Sequence, residues 1–484
     1  MFGAGIGPGD KEARLQLSSN SEVFDVTIIG AGPGGYVAAV RAGQLGLRTA
    51  IVEKDKYLGG TCGLRGCIPT KALLHTADVF DEFKRAKELG IVATGVSLDF
   101  VQAQKQKSKI VLKGAKGVEF LMKKNKVQVF KGTARFDGPA RLTIAGADGS
   151  SQSIQTKHAI IATGSVPRSL PGLEIDGVQI ITSDEALELN EIPKSMIVLG
   201  AGAVGVEFAS MFARFGSEVT ILELLPSLLP IEDEEISAEL ARSFKKQGIK
   251  FFTSASFQSA IREAGQVRVK ARVGDQDREF AAEKLLVAVG RRAYTDGLGL
   301  ENTRVEAEGG YIKVDEYMRT AEPGIYAIGD VIPTPLLAHV ASAEGIVAVE
   351  HLAGKNPRPI NYDRVPSCIY CYPEVGSVGL TEAKARERGY EVKTGRFPMT
   401  VLAKARILGA AEGLVKIVSD ARYDEVLGIH IIGPHATELI AEGCAALQME
   451  ATVEELIQTI HAHPTVAEGI HEAAEDVHGM VINA

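Results

Sequence analysis

Two copies of one supersecondary unit constrain the fold of this chain more than any other feature of its sequence. Each copy consists of an apolar strand, a glycine-rich turn, a helix and a second strand that ends in a glutamate. The segments of the first copy are 23–29, 30–35, 36–46 and 47–52, closed by Glu53, and those of the second are 195–199, 200–205, 206–216 and 218–222, closed by Glu223. Every landmark of the second copy lies 170 residues beyond its counterpart, as Gly200 does from Gly30. Short β-branched strands alternating with helices are typical of parallel sheets.

The three glycines of each turn have separate physical roles. The first permits the tight turn, the second lets the backbone approach a pyrophosphate, and the third lets helix and strand pack closely. The helix N-terminus offers N–H groups to phosphates, and an acid about 20 residues further on can bind a ribose diol. One such motif is weak in a chain with 52 glycines, but two complete copies predict two dinucleotide sites. The positions are Gly30, Gly32, Gly35 and Glu53 in the first site and Gly200, Gly202, Gly205 and Glu223 in the second.

Three more apolar strands end in glycine, at Gly164, Gly290 and Gly329. Ligands lie at the carboxyl ends of strands in parallel sheets, although an ordinary strand-to-loop turn has the same pattern. After about residue 359 the glycine turns disappear, and strands at 413–419 and 426–432 are followed by helices at 436–448 and 453–460. The sequence therefore predicts an α/β fold with two Rossmann-like dinucleotide-binding domains and a C-terminal α+β domain.

Glu223 bears on the choice of coenzyme in the second site. Leu224 and Leu225 follow it, with no arginine or lysine nearby to meet a 2′-phosphate. A carboxylate at this position repels such a phosphate and accepts from a free ribose hydroxyl. The second site is therefore expected to prefer NAD to NADP.

Cys62 and Cys67 are five positions apart and follow the first nucleotide unit. On an ideal helix their Cα atoms would lie about 8–9 Å apart, whereas a disulfide needs roughly 4.4–6.8 Å. The backbone between them must therefore be distorted, which Gly63 and Gly66 permit. A helix beginning near Pro69 would lower a thiol pKa at its N-terminus. The pair is interpreted as redox-active, with two buried structural cysteines as the alternative.

Cys368 and Cys371 match a C-x-x-C spacing but lie in the stretch 365–378, which is predicted to be extended. Residues three apart on a strand face opposite sides, and no second ligand pair follows at zinc-site spacing. No metal site is predicted. Cys444 is interpreted as a small core residue.

His461 and His463 precede Pro464, with Glu468 five residues beyond His463. Thiol chemistry needs a base that works near neutral pH, for which histidine is the natural choice. Glu468 could orient His463 and stabilise its cation. A metal site and a purely structural role stay open as alternatives, although the spacing is not a helical zinc pattern.

Composition narrows the class of protein. The net charge of -8 disfavours nucleic-acid binding, and no apolar run reaches the roughly 18 residues that a membrane span needs. The lysine-rich stretch 105–126 is interpreted as a helix pair with a solvated face. Residues 1–22 combine glycines with mixed charge and lack the apolar core of a signal peptide, so we expect a flexible tail and a cytoplasmic protein.

Taken together, these residues resemble those of the pyridine-nucleotide disulfide oxidoreductases over about 23–480. The most specific parts are 59–71 with its two cysteines and 461–468 with its histidines, and 324–330 resembles the family's second FAD motif. Within the family, the pattern is most similar to the flavoprotein component of the 2-oxoacid dehydrogenase complexes. The resemblance implies a homodimer that uses FAD and NAD to reoxidise dihydrolipoamide on lipoyl domains of those complexes, or of the glycine cleavage system.

The resemblance also implies boundaries and cofactor positions. The implied segments are a tail (1–22), an FAD-binding domain in two parts (23–165 and 288–358, the second central), an NAD-binding domain (166–287) and a dimerisation domain (359–484). Implied FAD positions are Gly30, Gly32, Gly35, Glu53, Lys71, Gly132, Thr163, Gly164, Ser165, Asp330, Ala338 and His339. Implied NAD positions are Gly200, Gly202, Gly205, Glu207, Glu223 and Gly290. Lys71 would lie near the flavin N5, and Glu207 between nicotinamide and flavin.

In the reaction that the resemblance implies, Cys62 exchanges with the substrate and Cys67 faces the flavin. His463 acts as the base, with Glu468 behind it, and is supplied by the other subunit. Gly63-Leu64 stand where the family usually has Leu-Asn. A glutathione-type reductase is the alternative within the family, and a structural subunit docking onto a large acyltransferase core is the alternative outside it.

Overall fold

The computed structural model describes residues 23–483, so the prediction of a flexible tail at 1–22 lies outside the described residues. Among the residues that it describes, no helix is long and apolar enough to span a membrane.

The first sheet is built around one long strand, Ser151–Ile161. Its parallel strands are, in spatial order, Gln128–Lys131, Thr49–Glu53, Val23–Ile29 and Ser151–Ile161, and Ile325–Ala327 pairs parallel with the end of the long strand. The antiparallel strands Arg141–Ala145 and Thr133–Gly138 continue the sheet beside the beginning of the long strand. Ile28 is aligned between Ile51 and Ile160, and all three are fully buried. Burial on both faces explains why these strands are continuous apolar runs in the sequence.

The second sheet repeats this arrangement. Its parallel strands are, in order, Lys250–Phe252, Glu218–Leu222, Ser195–Leu199, Lys284–Val287 and Ile180–Ile181. A three-stranded antiparallel sheet packs against it, with strands Ala255–Glu263, Gln266–Val273 and Gln276–Ala282. A short antiparallel ladder between Ser165–Pro167 and Arg291–Ala293 marks where the chain leaves the first unit and returns to it. Ala307–Glu308 and Tyr311–Ile312 form a minor ladder.

Helices lie where the sequence predicted them, although some of their ends differ and the lysine-rich region is organised differently. Their bounds are Pro33–Gln44, Gly60–Arg65, Cys67–Lys84, Phe100–Lys124, Ser183–Ala186, Ala203–Phe215, Glu234–Lys246, Ala338–Leu352, Glu382–Glu387, Ala403–Ile407, Ala436–Gln448, Val453–Gln458 and Glu468–Val477. The interpretation of 105–126 as a helix pair was wrong, because one helix of 25 residues, Phe100–Lys124, covers all of it up to Lys124. Gly114 and Gly117 continue that helix instead of breaking it, and Lys107 is buried against the Leu187 carbonyl and Glu188.

The C-terminal part is an α+β unit around an antiparallel sheet. The strands are, in order, Ser367–Ile369, Glu374–Gly379, Val426–Gly433, Leu414–Asp420 and Val392–Pro398. Helices Ala436–Gln448 and Glu468–Val477 share the core of this sheet. The helix predicted at 453–460 ends at Gln458, and Ile460 beyond it is 97% exposed.

Candidate active site

The glycine turns of the two repeated units have the same geometry. Gly30 has φ +106°, and a Cβ on it would lie 2.3 Å from the carbonyl oxygen of Ala162. Gly200 has φ +103°, and its Cβ would lie 2.4 Å from the carbonyl oxygen of Ala288. Any side chain would be strained and would clash with a neighbouring strand at both positions. The internal repeat of the sequence is therefore a repeat in three dimensions.

The glutamates that close the two units are held by equivalent backbone contacts. Glu53 accepts from the N–H groups of Ala31 and Asp55, both at 2.8 Å. The side chains of Glu53 and Glu223 are both buried. Hydrogen bonds from the backbone set the orientation of each carboxylate.

Glu223 repeats these contacts 170 residues later, accepting from the N–H of Ala201 at 2.5 Å and of Leu225 at 2.8 Å. Since a carboxylate has about four acceptor positions, each glutamate keeps capacity for a ribose diol. The sequence did not reveal these backbone contacts, which orient the carboxylate before any ligand arrives.

One cavity brings most of the predicted cofactor and cysteine positions together. The predicted residues that line it are Gly30, Gly32, Gly35, Glu53, Cys62, Cys67, Lys71, Gly132, Thr163, Gly164, Ser165, Glu207, Asp330 and Ala338. Gly200 and Gly202 lie in the equivalent turn of the second unit and Gly205 in the first turn of its helix, while Glu223 follows the strand Glu218–Leu222 and Gly290 follows the strand Lys284–Val287. His339 is not part of the lining, and its Nε2 lies 2.9 Å from the Pro366 carbonyl. The cavity extends from the first turn to the helix Ala203–Phe215 of the second unit, through Ala203, Val204 and Glu207.

The two cysteines lie on either side of a break between two helices. The helix Gly60–Arg65 carries Cys62, Gly66 leaves helical geometry with φ -139° and ψ -110°, and Cys67 begins the next helix. The distortion that the spacing required is therefore located at Gly66. Both cysteines are free and half-buried in this structure.

The two thiols titrate unequally. A hydrogen bond from Cys62 lowers the pKa of Cys67 to about 7, opposed by burial and assisted by the charge of Lys71. The same hydrogen bond and burial raise the pKa of Cys62. Cys67 is therefore the thiol that loses its proton first, with Cys62 donating to it.

Lys71 connects the cysteine helix to the second nucleotide unit. It lies one turn after Cys67 and donates to both carboxylate oxygens of Glu207, at 2.9 and 2.8 Å. The Glu207 side chain is only 6% exposed and also accepts from the N–H of Tyr370 at 2.9 Å. The ammonium group lies 4.6 Å from the centre of the Tyr370 ring. A charge-paired lysine thus faces the cavity between the two units.

Asp330 is held at the cavity wall by contacts between distant parts of the chain. Its Oδ2 accepts from Ser165 Oγ at 2.5 Å, and Ser165 Oγ accepts from Arg291 Nε at 2.6 Å. The preceding N–H, of Gly329, donates to the buried Glu344 at 2.6 Å. Burial raises the pKa of Glu344, and hydrogen bonds from this N–H and from Tyr362 partly offset that effect.

His463 and Glu468 form a pair away from this cavity. Glu468 Oε1 lies 2.8 Å from His463 Nδ1, and Glu468 Oε2 accepts from the Thr465 N–H at 2.8 Å. Burial raises the pKa of Glu468, but the hydrogen bonds of His463 and Thr465 outweigh it, and the net shift is downward. The His463 side chain is 72% exposed and does not line the cavity that holds Cys62 within the same chain. His461 is paired separately, with Glu442 at 2.7 Å.

The remaining cysteines are in unreactive surroundings. Cys368 lines the cavity, but burial raises its pKa to about 11. Cys371 is 1% exposed, and burial raises its pKa as well. Cys444 packs beside Cys368 against the core of the C-terminal sheet. Within 23–483, no group of three or more histidine, cysteine, aspartate or glutamate side chains is arranged to hold a metal ion.

Comparison with known proteins decides the family. The family model described as pyridine nucleotide-disulphide oxidoreductase matches residues 24–345, and that of its dimerisation domain matches residues 365–474. The chain belongs to this family. Dihydrolipoyl dehydrogenase from Bacillus subtilis is 48% identical over 95% of this chain and 99% of its own length, and that from Chlorobaculum tepidum is 48% identical over 95% and 98%. The solved structure of LpdA from Mycobacterium tuberculosis is 29% identical, covers 93% of this chain and 98% of its own, and has a TM-score of 0.86.

Like other pyridine nucleotide-disulphide oxidoreductases, this chain is an FAD- and NAD-linked enzyme with a dimerisation domain, and its residues fit both nucleotides. A Cβ on Gly202 would meet none of the described atoms within 4 Å, which leaves open space in front of the second helix N-terminus. Each nucleotide helix begins after a glycine, so no side chain at the N-cap competes for its first N–H groups. The held carboxylates of Glu53 and Glu223 keep acceptor positions of the kind that ribose hydroxyls need.

Two charged residues that line the cavity, Arg65 and Arg291, were not singled out from the sequence. Arg65 lies between the two cysteines and pairs with Asp55 at 2.7 Å and with Asp184 at 3.6 Å. Arg291 is largely buried beside Ser165 and lines the cavity. Its position directly after Gly290, at a strand end, was the available signal. Arg65 carried no signal, since its partners come from other segments.

Proposed function

We propose that this chain is a dihydrolipoyl dehydrogenase that oxidises protein-bound dihydrolipoamide to lipoamide and reduces NAD⁺ to NADH. The observation that carries the proposal is the cavity in which Cys62, Cys67, Lys71 and Glu207 lie at the junction of two nucleotide-binding units. The proteins named dihydrolipoyl dehydrogenase that match nearly the whole chain support the choice of substrate.

FAD would be held by the first glycine turn, Glu53, Lys71, Ser165 and Asp330, and NAD by the second turn and Glu223. The chemistry that FAD supplies when bound is two-electron exchange between a dithiol and the nicotinamide. The chain's own part is to keep the nucleotides in fixed clefts. Lys71 and Glu207 would hold a paired charge between the two clefts.

The thiol exchange is assigned to the two cysteines. A substrate thiolate attacks Cys62 Sγ of the Cys62–Cys67 disulfide, and Cys67 leaves as a thiolate. The second substrate thiol then displaces Cys62, which gives lipoamide and the reduced cysteine pair. The pKa of about 7 at Cys67 favours it as the leaving group, because thiols of lower pKa leave faster.

His463 is proposed to take the proton from the attacking substrate thiol. Its Nδ1 is engaged by Glu468, which leaves Nε2 for the substrate and stabilises the cation that forms. Because His463 does not line the Cys62 cavity of its own chain, we assign it to the site of the partner subunit in a homodimer. The proposal includes cytoplasmic location and lipoyl domains of 2-oxoacid dehydrogenase complexes, or of the glycine cleavage system, as partners.

A glutathione-type reductase is the alternative within the family, and the second site argues against it. That alternative calls for basic residues beyond Glu223, whereas Glu223 presents a buried, oriented carboxylate and is followed by two leucines. The test is a steady-state comparison of lipoamide with glutathione disulfide, using NADH and NADPH. Lipoamide-dependent oxidation of NADH supports the proposal. Efficient turnover of glutathione disulfide with little turnover of lipoamide contradicts it.

A further inference from the structure

The cysteine helix and the helix of the second nucleotide unit contact each other through two ion pairs. Lys71 lies on the cysteine helix, Cys67–Lys84, and Glu207 lies on the nucleotide helix, Ala203–Phe215. In the first pair, Lys71 donates to both carboxylate oxygens of Glu207, at 2.9 and 2.8 Å.

Seven residues further along each helix, a second pair has the opposite polarity. Asp78 on the cysteine helix accepts from Arg214 on the nucleotide helix. The Arg214 side chain is 5% exposed, and Asp78 is 53% exposed. Asp81 adds a second carboxylate 3.9 Å from Arg214 Nε, and Lys84 donates to the Arg214 carbonyl at 2.8 Å.

The equal offset on both helices determines how they can slide. Seven residues are about two turns, or about 10 Å along a helix, so both pairs lie on the same contact face. A displacement of two turns in either direction would bring Lys71 opposite Arg214, or Asp78 opposite Glu207. Smaller displacements would break the Lys71–Glu207 pair and separate the buried Arg214 from Asp78, leaving Asp81 as its only carboxylate among the described ion pairs, and weaker pairing of a buried cation is costly. Because the two ion pairs have opposite polarity, both can form in only one alignment of the two helices.

The same nucleotide helix also holds the segment that covers Lys71. Glu207 accepts from the N–H of Tyr370, and Ser210 Oγ accepts from the N–H of Tyr372 at 3.0 Å. The Arg214 guanidinium lies 6.0 Å from the centre of the Tyr372 ring. A shift of this helix would therefore move Glu207 and the Tyr370 backbone together relative to Lys71.

We propose that Asp78 and Arg214 are positioning residues that keep Lys71 against Glu207 and beside the Cys67 thiol. Their effect on the reaction passes through Lys71. The inference rests on the proposed function only in taking Cys67 as a reactive thiol. It deepens that function by naming the residues that align the two units.

The test measures the pH midpoint for iodoacetamide alkylation of Cys67 in holoenzyme reduced with dithiothreitol and then freed of it. Arg65 lies between the cysteines, so trypsin places Cys62 and Cys67 on separate peptides for mass spectrometry. Asp78→Asn is the main variant, since its exposed carboxylate can be removed without opening a cavity. Glu82→Gln on the same helix is the matched control, because Glu82 is 60% exposed and meets only Arg85, at 3.8 Å, among its described ion-pair partners.

We expect Asp78→Asn to raise the Cys67 midpoint by about half a pH unit or more, because Lys71 is displaced from the thiolate. It should lower kcat about tenfold with less change in the KM for NADH. The double variant Asp78→Arg with Arg214→Asp exchanges the two charges. It should recover part of the change in the Cys67 midpoint and part of the kcat that Asp78→Asn loses. Glu82→Gln should change neither the Cys67 midpoint nor kcat.

An Asp78→Asn enzyme with lower thermal stability but an unchanged Cys67 midpoint and kcat would overturn the inference, because the pair would then be structural only. Absence of lipoamide turnover in the parent enzyme, with the midpoint shift intact, would count against the proposed function alone.

Discussion

At the scale of single residues, the orientation of the Glu223 carboxylate matters as much as its charge. Two backbone N–H groups occupy one acceptor position on each of its oxygens. The carboxylate cannot rotate away from an incoming 2′-phosphate without losing these bonds. We therefore expect Glu223, as a buried and oriented anion, to discriminate against NADPH more strongly than a mobile surface glutamate would.

We predict that kcat/KM for NADH exceeds that for NADPH by on the order of 10²-fold or more, because like charges would be forced together in a buried site. Replacing Glu223 with Ser and Leu224 with Arg should reduce this ratio by at least about tenfold. Initial rates with lipoamide and each coenzyme measure it. Equal efficiency of the two coenzymes in the parent enzyme would show that Glu223 does not face the ribose.

A second prediction concerns the pH dependence of thiol reactivity. The pKa of Cys67 is lowered to about 7, so its thiolate population, and its alkylation rate in the reduced enzyme, should rise through about pH 7. Cys368, with a pKa raised to about 11, and the buried Cys371 should stay nearly unmodified over the same range. Peptide mass spectrometry after iodoacetamide treatment measures each cysteine. Faster labelling of Cys62 than of Cys67 at pH 7 would reverse the assignment of the two thiols.

His463 supports a third prediction. His463→Gln should lower lipoamide turnover by about 10²–10⁴-fold, the usual contribution of a general base. Reduction of the bound flavin by NADH should stay nearly normal, because this step does not need the substrate thiol. Stopped-flow absorbance separates the two steps. His461→Gln is the control, because His461 is paired with Glu442 instead of Glu468. Loss of flavin reduction in the His463 variant would indicate a structural role.

At the scale of elements, each nucleotide helix is held close to its sheet by a glycine. A Cβ on Gly205 would lie 2.0 Å from the carbonyl oxygen of Gly200, whereas a Cβ on Gly202 would project into open space. A substitution at Gly205 therefore tests packing of the helix, and a substitution at Gly202 tests access of the phosphates to the helix N-terminus.

We predict that Gly205→Ala lowers the free energy of unfolding by about 1–3 kcal/mol, the usual cost of overpacking. Gly202→Ala should leave thermal stability nearly unchanged but raise the KM for NADH about tenfold, because a methyl group would occupy space that a pyrophosphate needs. Thermal unfolding and steady-state kinetics check the pair. A normal KM in Gly202→Ala would mean that NADH does not approach this turn.

At the scale of the whole molecule, Cys62 and His463 lie in different parts of one chain. The first lines the cavity between the nucleotide units, and the second is an exposed residue of the dimerisation domain. A two-fold dimer forms two equivalent sites if each chain supplies one of these residues to its partner.

Mixing two inactive variants tests this sharing. Heterodimers of Cys62→Ser and His463→Gln chains would contain one site with both lesions and one site with neither. They should recover up to about half of the parent activity per dimer. Differently tagged chains allow the heterodimer to be purified before its lipoamide turnover is measured. Heterodimers that form but stay inactive would place both residues in one chain's site.

The sequence by itself determined the repeated strand–turn–helix units, because a tight turn against a parallel strand accepts only glycine at fixed positions. Strands 23–29, 195–199 and 218–222 and helix 436–448 agree with the predicted bounds. The break between Cys62 and Cys67 was also accessible from sequence, since their spacing required a distortion such as the one at Gly66. The roles assigned to the site residues stay predictions.

Only the tertiary structure decided which distant residues meet. Asp330 reaches Ser165 because the strand Ile325–Ala327 joins the sheet beside Ser151–Ile161, and no local pattern encodes such a pairing. The contact of the His339 ring with the Pro366 carbonyl is another that no local pattern encodes, and the expected role of His339 at the cofactor stays a prediction. The Asp78–Arg214 pair is invisible in sequence for the same reason, because helix contacts depend on how two sheets are placed against each other. Local propensity and turn geometry are properties of neighbouring residues, whereas the site is a property of the packing between units.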